Sequence, residues 1–398
     1  MKTFLLYILT LISSTVLAQT ENFSTFITKG KEAYSKAEYV IAANYFEKAV
    51  LIIPKSAEAH YYLGYCYSKI NSFDGKSLTN SSLSQVLKSS LEFELVNKLS
   101  PKYKGKLIVQ DPYSKLSSEW GSLAISYIYN NKPDSAIWAF KEGKKRGGFS
   151  DFILSVNKSV LDLCDKNAIL VTSGDNYIFP LWYLQYVENY RLDVSLVDIS
   201  LLNAYWYPSF LSNNKKVKFD FPKNVLDSVE YCEWPKSTVK INEFSWVVKP
   251  SYKNQYLLRG DRIFLSMLRE NKFERTIYFS SGFSETDQVG LKPYLTSNIL
   301  IDKVNINNEE ELDFNTFKEK FIQVSKSIEK LNNNSELEIL FAENIRIILL
   351  IRISKESKSN QKELFKILDT YFNEKKLPIK SAEIKTYLNE LKKECFKK

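Results

Sequence analysis

The first part of the chain repeats small, aromatic and apolar residues at helical spacing. Glycine or alanine recurs where two helices would cross, and phenylalanine recurs where a gap between neighbouring helices must be filled. A proline ends the second helix, because it cannot continue the hydrogen-bond ladder. The pattern predicts pairs of antiparallel helices within residues 23–150. Its positions are Phe26, Gly30, Ala42, Phe46, Ala49 and Pro54, then Leu63, Gly64 and Tyr67, and then Trp120, Leu123, Ala124, Tyr127, Ala136 and Phe140.

These spacings resemble those of the tetratricopeptide repeat, and three copies meet the usual minimum for a stable solenoid. The resemblance implies a helical surface that binds a protein or peptide partner. It also places Gly30 against Ala42 at a helix crossing. The second copy is interrupted after about Lys69 by a serine-rich stretch, which is either a long loop or a longer helix.

Residues 151–302 change to short apolar runs bounded by turn residues, the pattern of an α/β domain. A helix leads out from Pro180 after the first run, and a second helix, capped by Asp261 and ending near Asn271, precedes the last run. The stretch 208–250 is interpreted as an insertion of short strands or loops. We expect a Rossmann-like fold with a mostly parallel sheet. Its strands are predicted over 168–172, 193–199 and 275–280.

Residues 303–398 are rich in lysine and glutamate, with apolar residues at helical spacing. The very apolar run 347–351 is too short for a membrane span and is assigned to a buried helix. The helices are predicted over 314–331, 336–354, 360–373 and 380–396. The predicted domains are therefore a signal peptide over 1–19, a tetratricopeptide solenoid over 20–150, an α/β domain over 151–302 and a helical region over 303–398.

The N-terminal residues have the pattern of a secretory signal. Lys2 precedes a short apolar run over 4–12, and small residues over 16–18 favour cleavage after Ala18 or Gln19. The alternative is a membrane anchor, which is disfavoured because the run is shorter than the ~20 residues that a span needs. We expect a periplasmic or secreted protein of the Gram-negative cell envelope, with no membrane span after signal removal.

Composition argues against several kinds of chemistry. The net charge of +9 comes mostly from lysine, and the basic run 144–146 suits a helix end, so nucleic acid is not an expected partner. His60 is the only histidine, which leaves little for a catalytic triad or a histidine-rich metal site. No CxxC spacing supports zinc, and disulfide pairing stays open. We expect no catalytic residues, no metal and no cofactor. The cysteines are Cys66, Cys164, Cys232 and Cys395.

Three ordered motifs in the α/β region resemble a known family. Their residues are Gly174, Asp175, Asn176, Phe179, Pro180, Leu181, Trp182 and Tyr183, then Ser200, Leu201, Leu202, Asn203, Trp206 and Tyr207, then Asn271, Arg275, Ile277, Tyr278 and Phe279. Over roughly 165–300 the chain resembles the C-terminal soluble region of bacterial protein O-mannosyltransferase-like membrane proteins, and related exported tetratricopeptide proteins. Glycosyl transfer in that family belongs to a multi-span membrane part, so the resemblance does not imply that activity here.

The chain departs from the family pattern at acidic and hydroxyl positions. Tyr177 and Tyr205 stand where the family has carboxylates, and Ile178 and Ala204 replace hydroxyl side chains. If the pocket of the family relies on several carboxylates, this chain keeps one of them, Asp175, and has tyrosine in place of two others.

Strand ends and the resemblance together select candidate ligand-binding residues. A carboxylate and an amide at the carboxyl end of a parallel strand can hold a hydroxyl-rich ligand such as a sugar. Alternatively, Asp or Asn there caps the next helix, and Gly174 supplies an unusual backbone angle. The candidates are Asp175, Asn176, Trp182, Asn203 and Arg275.

The aromatic and basic candidates also have two interpretations. Trp182 could stack on a sugar face or pack in the core between sheet and helix. Arg275 precedes a strand and could pair with Asp175 or Asp198, either as a structural salt bridge or as an anion site.

The leading hypothesis is an exported, non-catalytic adaptor protein whose tetratricopeptide repeats bind a protein or peptide, linked to envelope glycosylation or secretion. The alternative is a glycan-binding protein, or a degenerate glycan-acting enzyme, that uses the α/β domain through Asp175. A third class is a scaffold subunit of a membrane glycosylation or secretion complex. A paired acid and base would favour an enzyme, and the sequence shows one candidate carboxylate at this site.

Overall fold

The computed structural model describes residues 21–72, 78–214, 216–281, 288–306, 313–379 and 381–396. The chain divides into two compact units, one up to Gly148 and the other from Phe149. The predicted signal peptide over 1–19 lies outside the described residues.

The first unit consists of paired helices, as predicted. Small and aromatic residues of the repeated pattern form its core, and Phe46, Phe93, Trp120 and Phe140 are fully buried. The helices are α1 over 21–35, α2 (Tyr39–Ile52), α3 (Ala57–Ser72), α4 (Leu83–Leu99), α5 (Pro112–Tyr129) and α6 (Pro133–Lys145).

The glycines of the first two pairs lie against phenylalanine rings. A Cβ on Gly30 would come within 2.8 Å of the Phe46 ring, and one on Gly64 within 2.9 Å of the Phe93 ring. The expectation that Gly30 lies against Ala42 was therefore incomplete, because Phe46 is the side chain that needs the missing Cβ. The interrupted second copy still supplies its phenylalanine from α4; residues 73–77 lie outside the described residues.

The second unit contains a five-stranded sheet in the order β2-β1-β7-β9-β8. β1 is parallel to β2 and to β7, as predicted, whereas β9 is antiparallel to β7 and to β8. The sheet is therefore mixed, not mostly parallel. Its strands are β1 (Ile169–Thr172), β2 (Ser195–Asp198), β7 (Ile277–Ser280), β8 (Leu295–Asn298) and β9 (Ile301–Val304), and two small two-stranded ladders are formed by β3 (Cys232–Glu233) with β6 (Tyr256–Leu257) and by β4 (Ser237–Ile241) with β5 (Phe244–Val248).

Helices flank these strands and complete the unit. The insertion over 208–250 contains short strands, as expected, and also part of a helix, α9, that was not expected. The predicted C-terminal helices are confirmed, with small differences at their ends. The helices are α7 (Asp151–Asp162), α8 (Asp175–Glu188), α9 (Tyr207–Asn214), α10 (Lys223–Leu226), α11 (Arg259–Asn271), α12 (Phe314–Lys326), α13 (Glu336–Lys355), α14 (Lys358–Tyr371) and α15 (Ala382–Phe396).

The C-terminal helices belong to the same unit as the sheet. Phe341 of α13 packs edge-on against Phe152 of α7 and against Tyr177 of α8. The predicted boundary between 302 and 303 thus falls inside one compact unit. Across the described residues, no helix combines the length and hydropathy needed to cross a bilayer.

Candidate functional site

A row of three polar side chains ends the three parallel strands of the sheet. Thr172 pairs in register with Asp198, and because Val171 pairs with Phe279, the next residue, Ser280, is level with Thr172. All three are buried, with exposed fractions of 2% for Asp198, 0% for Thr172 and 1% for Ser280. We call Asp198, Thr172 and Ser280 the polar row. In the sheet, β2 lies on one side of β1, and β7 lies on the other side with β9 and β8 beyond it. The order of the strands therefore reverses at β1, and α/β sheets bind ligands at such a switch point. The polar row spans this point.

Asp198 holds the turns that follow two strands. Its Oδ2 accepts the N–H of Gly174 at 3.0 Å and the hydroxyl of Thr172 at 3.4 Å. Its Oδ1 accepts the N–H groups of Ser200 and Leu201, each at 3.0 Å. Burial raises the pKa of Asp198 to about 6, with a smaller contribution from the charge of Asp175, and the three N–H donors oppose this rise. A buried carboxylate therefore fixes the carboxyl edge of the sheet.

Gly174 permits the sharp entry into α8. Its φ of 91° and ψ of 162° lie in a region that side-chain-bearing residues rarely adopt, so the expected unusual backbone angle is confirmed. Among the described residues other than its chain neighbours, none would come within 4 Å of a Cβ at this position.

The expectation that Asp175 or Asn176 caps α8 is corrected. Gly174 is the N-cap residue, and Asp175 is already the first helical residue, where its charge favours the helix dipole. Asp175 and Asn176 are both helical residues, so neither of them occupies the N-cap position.

Asp175 and Asn176 lie half-buried at the carboxyl edge, next to the polar row. The carbonyl of Asn176 accepts a 3.0 Å bond from the Asn157 side chain. Together with Asp198, Asp175 makes two neighbouring carboxylates, where the sequence had shown one candidate.

Tyr177, where the family resemblance implies a carboxylate, has a structural contact. Its hydroxyl lies 2.7 Å from the hydroxyl of Ser281, just after β7. Burial raises its pKa to about 12, so it stays neutral at physiological pH. The substitution links α8 to the end of β7 without adding charge.

Trp182 packs in the core. Its exposed fraction is 0%, and its ring lies 6.0 Å from that of Phe179 and 6.3 Å from that of Phe210. Its indole N–H is buried and has no acceptor in the described part of the chain. The ring is therefore not placed to stack on a ligand at the carboxyl edge. Of the two roles considered for Trp182, the structure shows packing in the core.

Asn203 joins the turn after β2 to the start of α11. Its Oδ1 accepts the N–H of Gly260 at 2.9 Å, and its Nδ2 donates to the carbonyl of Ser200 at 3.3 Å. Within α11, Asp261 is the third helical residue and accepts the N–H of Leu258 at 3.1 Å. Asp261 was expected to cap this helix, and it does so from the third helical position and not from the N-cap position.

Arg275 lies at the opposite edge of the sheet. Its guanidinium donates to the carbonyls of Asn167, Ala168 and Lys216 and to the hydroxyl of Ser195. Asn167 and Ala168 precede β1 and Ser195 begins β2, whereas Asp175 follows β1 and Asp198 ends β2. The possible pairing of Arg275 with either aspartate is therefore not formed, and the structure does not bring Arg275 together with the other candidates.

Asp198 and Ser280 were not predicted as site residues. In the sequence, each is a polar residue at the end of a short, mainly apolar strand, as Thr172 is, and this pattern could have identified them. Only the strand register shows that these residues share one row.

The helical unit has a second feature of functional interest, a segment over 100–111 that we call the strap. Its backbone binds two tyrosines one turn apart on α3. The Tyr61 hydroxyl accepts the N–H of Ile108 at 3.0 Å, and the Tyr65 hydroxyl accepts the N–H of Gln110 at 2.7 Å. Both hydroxyls donate to the carbonyl of Gln110.

Side chains add to these contacts. Tyr103 of the strap stacks on Tyr61, with ring centroids 4.6 Å apart. Leu107 and Ile108 pack against the core of the unit. An irregular segment is thus recognised through its backbone and through apolar side chains.

His60 is held in packing contacts on α3. Its Nδ1 lies 2.5 Å from a carboxylate oxygen of Glu92, and its Nε2 lies 2.9 Å from the carbonyl of Pro54. Burial lowers its pKa, but these two partners outweigh burial and raise it overall. The four cysteines, whose pairing the sequence left open, are free thiols.

Comparison with known families supports one part of the resemblance. The family described as TMEM260-associated domain 2 matches residues 153–216. TMEM260 is an O-mannosyltransferase-like protein, so the resemblance of this region to a domain of such proteins is confirmed. The match runs from α7 to the end of α9 and includes Asp175, Asn176, Trp182 and Asn203, but not Arg275. No curated protein matches the chain significantly.

Proposed function

We propose that this chain is a non-catalytic adaptor protein whose helical unit binds a protein or peptide partner. The observation that carries the proposal is the strap, an irregular segment held on α3 by the hydroxyls of Tyr61 and Tyr65. Both bonds to each tyrosine use backbone groups, which every peptide has. A partner segment would be recognised by the same combination of backbone hydrogen bonds and apolar side chains.

The repeated pattern supports the same function. Three helix pairs that match tetratricopeptide spacing would form a solenoid with one continuous docking face. The leader pattern supports export to the periplasm or beyond, and the match to TMEM260-associated domain 2 supports a link to envelope glycosylation or secretion, including a scaffold role in such a complex.

Crosslinking in the native host tests this proposal. The full-length protein would be purified from the envelope fraction after crosslinking through its lysines, and the crosslinked positions would be mapped by mass spectrometry. We expect one dominant partner, joined to lysines before Gly148. A partner joined only to residues beyond Phe149, or no reproducible partner, would contradict the proposal. N-terminal sequencing of the same sample checks export, which requires a mature chain beginning at Gln19 or Thr20.

A second candidate function is glycan binding at the carboxyl edge of the sheet. It is favoured by the half-buried Asp175 beside Gly174 and by the neighbouring carboxylate of Asp198. Against it, Asp198 is already bound by three N–H groups, and one half-exposed carboxylate gives little binding energy alone.

Thermal shift with neutral sugars separates the two functions. We expect no neutral sugar to stabilise the wild type. A stabilisation that disappears in Asp175→Ser, while the unliganded variant folds normally, would favour glycan binding at this edge.

A further inference from the structure

A basic cleft lies on the second unit, beside the two antiparallel strands of the sheet. It is bounded by β8 and β9 on one side and by α12 and the end of α13 on the other, with a volume of about 400 Å³. That volume is within the range of small-molecule sites. Its polar lining includes Asn298, Lys303, Lys320, Arg352, Lys355 and Glu356.

The charges of this cleft are unbalanced. Lys303 is paired with Asp165, with its Nζ 3.6 Å from Oδ2, and the Glu356 carboxylate accepts a 3.1 Å bond from Asn360. Within the described part of the chain, the ammonium groups of Lys320 and Lys355 make no hydrogen bond or ion pair. Among the described residues of the lining, four basic side chains, Lys303, Lys320, Arg352 and Lys355, therefore face two carboxylates, Asp165 and Glu356.

The cleft also contains an unused acceptor. Oδ1 of Asn298 is buried and has no hydrogen-bond partner among the residues that the structure describes. Asn298 ends β8, the edge strand of the sheet, where Thr296 and Ser297 add hydroxyl groups to the lining. A buried amide oxygen that accepts no hydrogen bond lowers the free energy of unfolding. A ligand hydroxyl in the cleft would donate the missing hydrogen bond.

We propose that this cleft binds a small phosphate ester that carries hydroxyl groups, such as a hexose phosphate. The phosphate lies between Lys320 and Lys355, which bind it as point charges, and a ligand hydroxyl donates to Asn298. This site is separate from the strap and from the polar row, and it does not depend on the adaptor function.

Calorimetric titration of the full-length protein at low salt tests the proposal. The probes are a hexose phosphate, the matching unphosphorylated hexose, and inorganic phosphate. We expect the hexose phosphate to bind at least about tenfold more tightly than either of the others, because only it supplies both the charge and the hydroxyl. Its affinity should fall as the salt concentration rises.

Variants identify the site. Lys320→Glu and Lys355→Glu should each weaken hexose phosphate binding by about tenfold or more, since each places a carboxylate beside the phosphate. Lys326→Glu is the matched control, because Lys326 is exposed on the same helix and is not part of the lining. Asn298→Ala should reduce the preference for hexose phosphate over inorganic phosphate. Equal binding of inorganic phosphate and hexose phosphate, equal losses in Lys320→Glu and Lys326→Glu, or no binding of hexose phosphate would each overturn the proposal.

Discussion

At the scale of single residues, Gly174 is the position with the strictest conformational requirement at the candidate site. Its φ and ψ of 91° and 162° belong to a region that is essentially restricted to glycine. No atom of the described residues, apart from the chain neighbours, lies within 4 Å of an added Cβ, so backbone strain is what opposes a substitution there.

Gly174→Ala is therefore expected to lower the free energy of unfolding by about 1–3 kcal/mol. Ser173→Ala changes the neighbouring residue without a positive φ and serves as the control. Urea unfolding followed by tryptophan fluorescence measures both. If the two variants were equally stable, the backbone at this turn would not have the strain that we assign to it.

At the scale of helices, the contact between Gly30 and Phe46 determines how closely α1 and α2 approach. Phe46 is fully buried and stacks on Tyr62, with ring centroids 5.2 Å apart. Gly30→Ala would place a methyl group 2.8 Å from this ring, so the helices or the ring must shift. We expect a loss of about 1–3 kcal/mol, measured by thermal unfolding. Lys29→Ala, at an exposed position of the same helix, should have almost no effect.

The strap makes a prediction of its own. Tyr61→Phe removes the acceptor for the Ile108 N–H and one donor to the Gln110 carbonyl. We expect a loss of about 1–3 kcal/mol, because partly buried backbone groups lose their partners. Hydrogen exchange of the Ile108 amide should accelerate.

Tyr39→Phe is the control for the strap, since no hydrogen bond of the Tyr39 hydroxyl is found within the described residues. Unchanged exchange at Ile108 in Tyr61→Phe would mean that the strap is held by its apolar side chains alone.

At the scale of the whole molecule, the sequence predicted what depends on local pattern. Buried parallel strands are continuous apolar runs, so β1, β2 and β7 could be recognised, and the helix pairs follow from their small and aromatic residues. The antiparallel β8–β9 hairpin was missed because Leu295–Asn298 contains a single apolar residue. The polar row was missed because register joins Thr172 to Asp198 and Ser280, residues that are far apart in the chain.

The pH dependence of stability follows from three groups with shifted pKa values. The pKa of Asp193 is held well below its usual range by Arg191, so its contribution is present above pH 3.8 and is lost as the pH falls. The pKa of Asp198 is raised from 3.8 to about 6, so its contribution is complete below 3.8 and is lost as the pH rises through 6. His60, whose pKa is raised, contributes below 6.5, and this contribution is also lost as the pH rises.

The combined contribution of these three groups is therefore highest on the acid side of neutrality, between the loss of the Asp193 contribution and the loss of the Asp198 contribution. At about 1.4 kcal/mol per pKa unit, the shift of Asp198 corresponds to about 3 kcal/mol between acid and neutral pH. Asp198→Asn cannot titrate, so its stability relative to the wild type should rise by up to this amount as the pH increases from 4 to 7, whatever the substitution costs at acid pH. Urea unfolding of both proteins across this range measures the difference. A constant difference would show that Asp198 is ionised throughout and that the N–H groups of Gly174, Ser200 and Leu201 fully offset its burial.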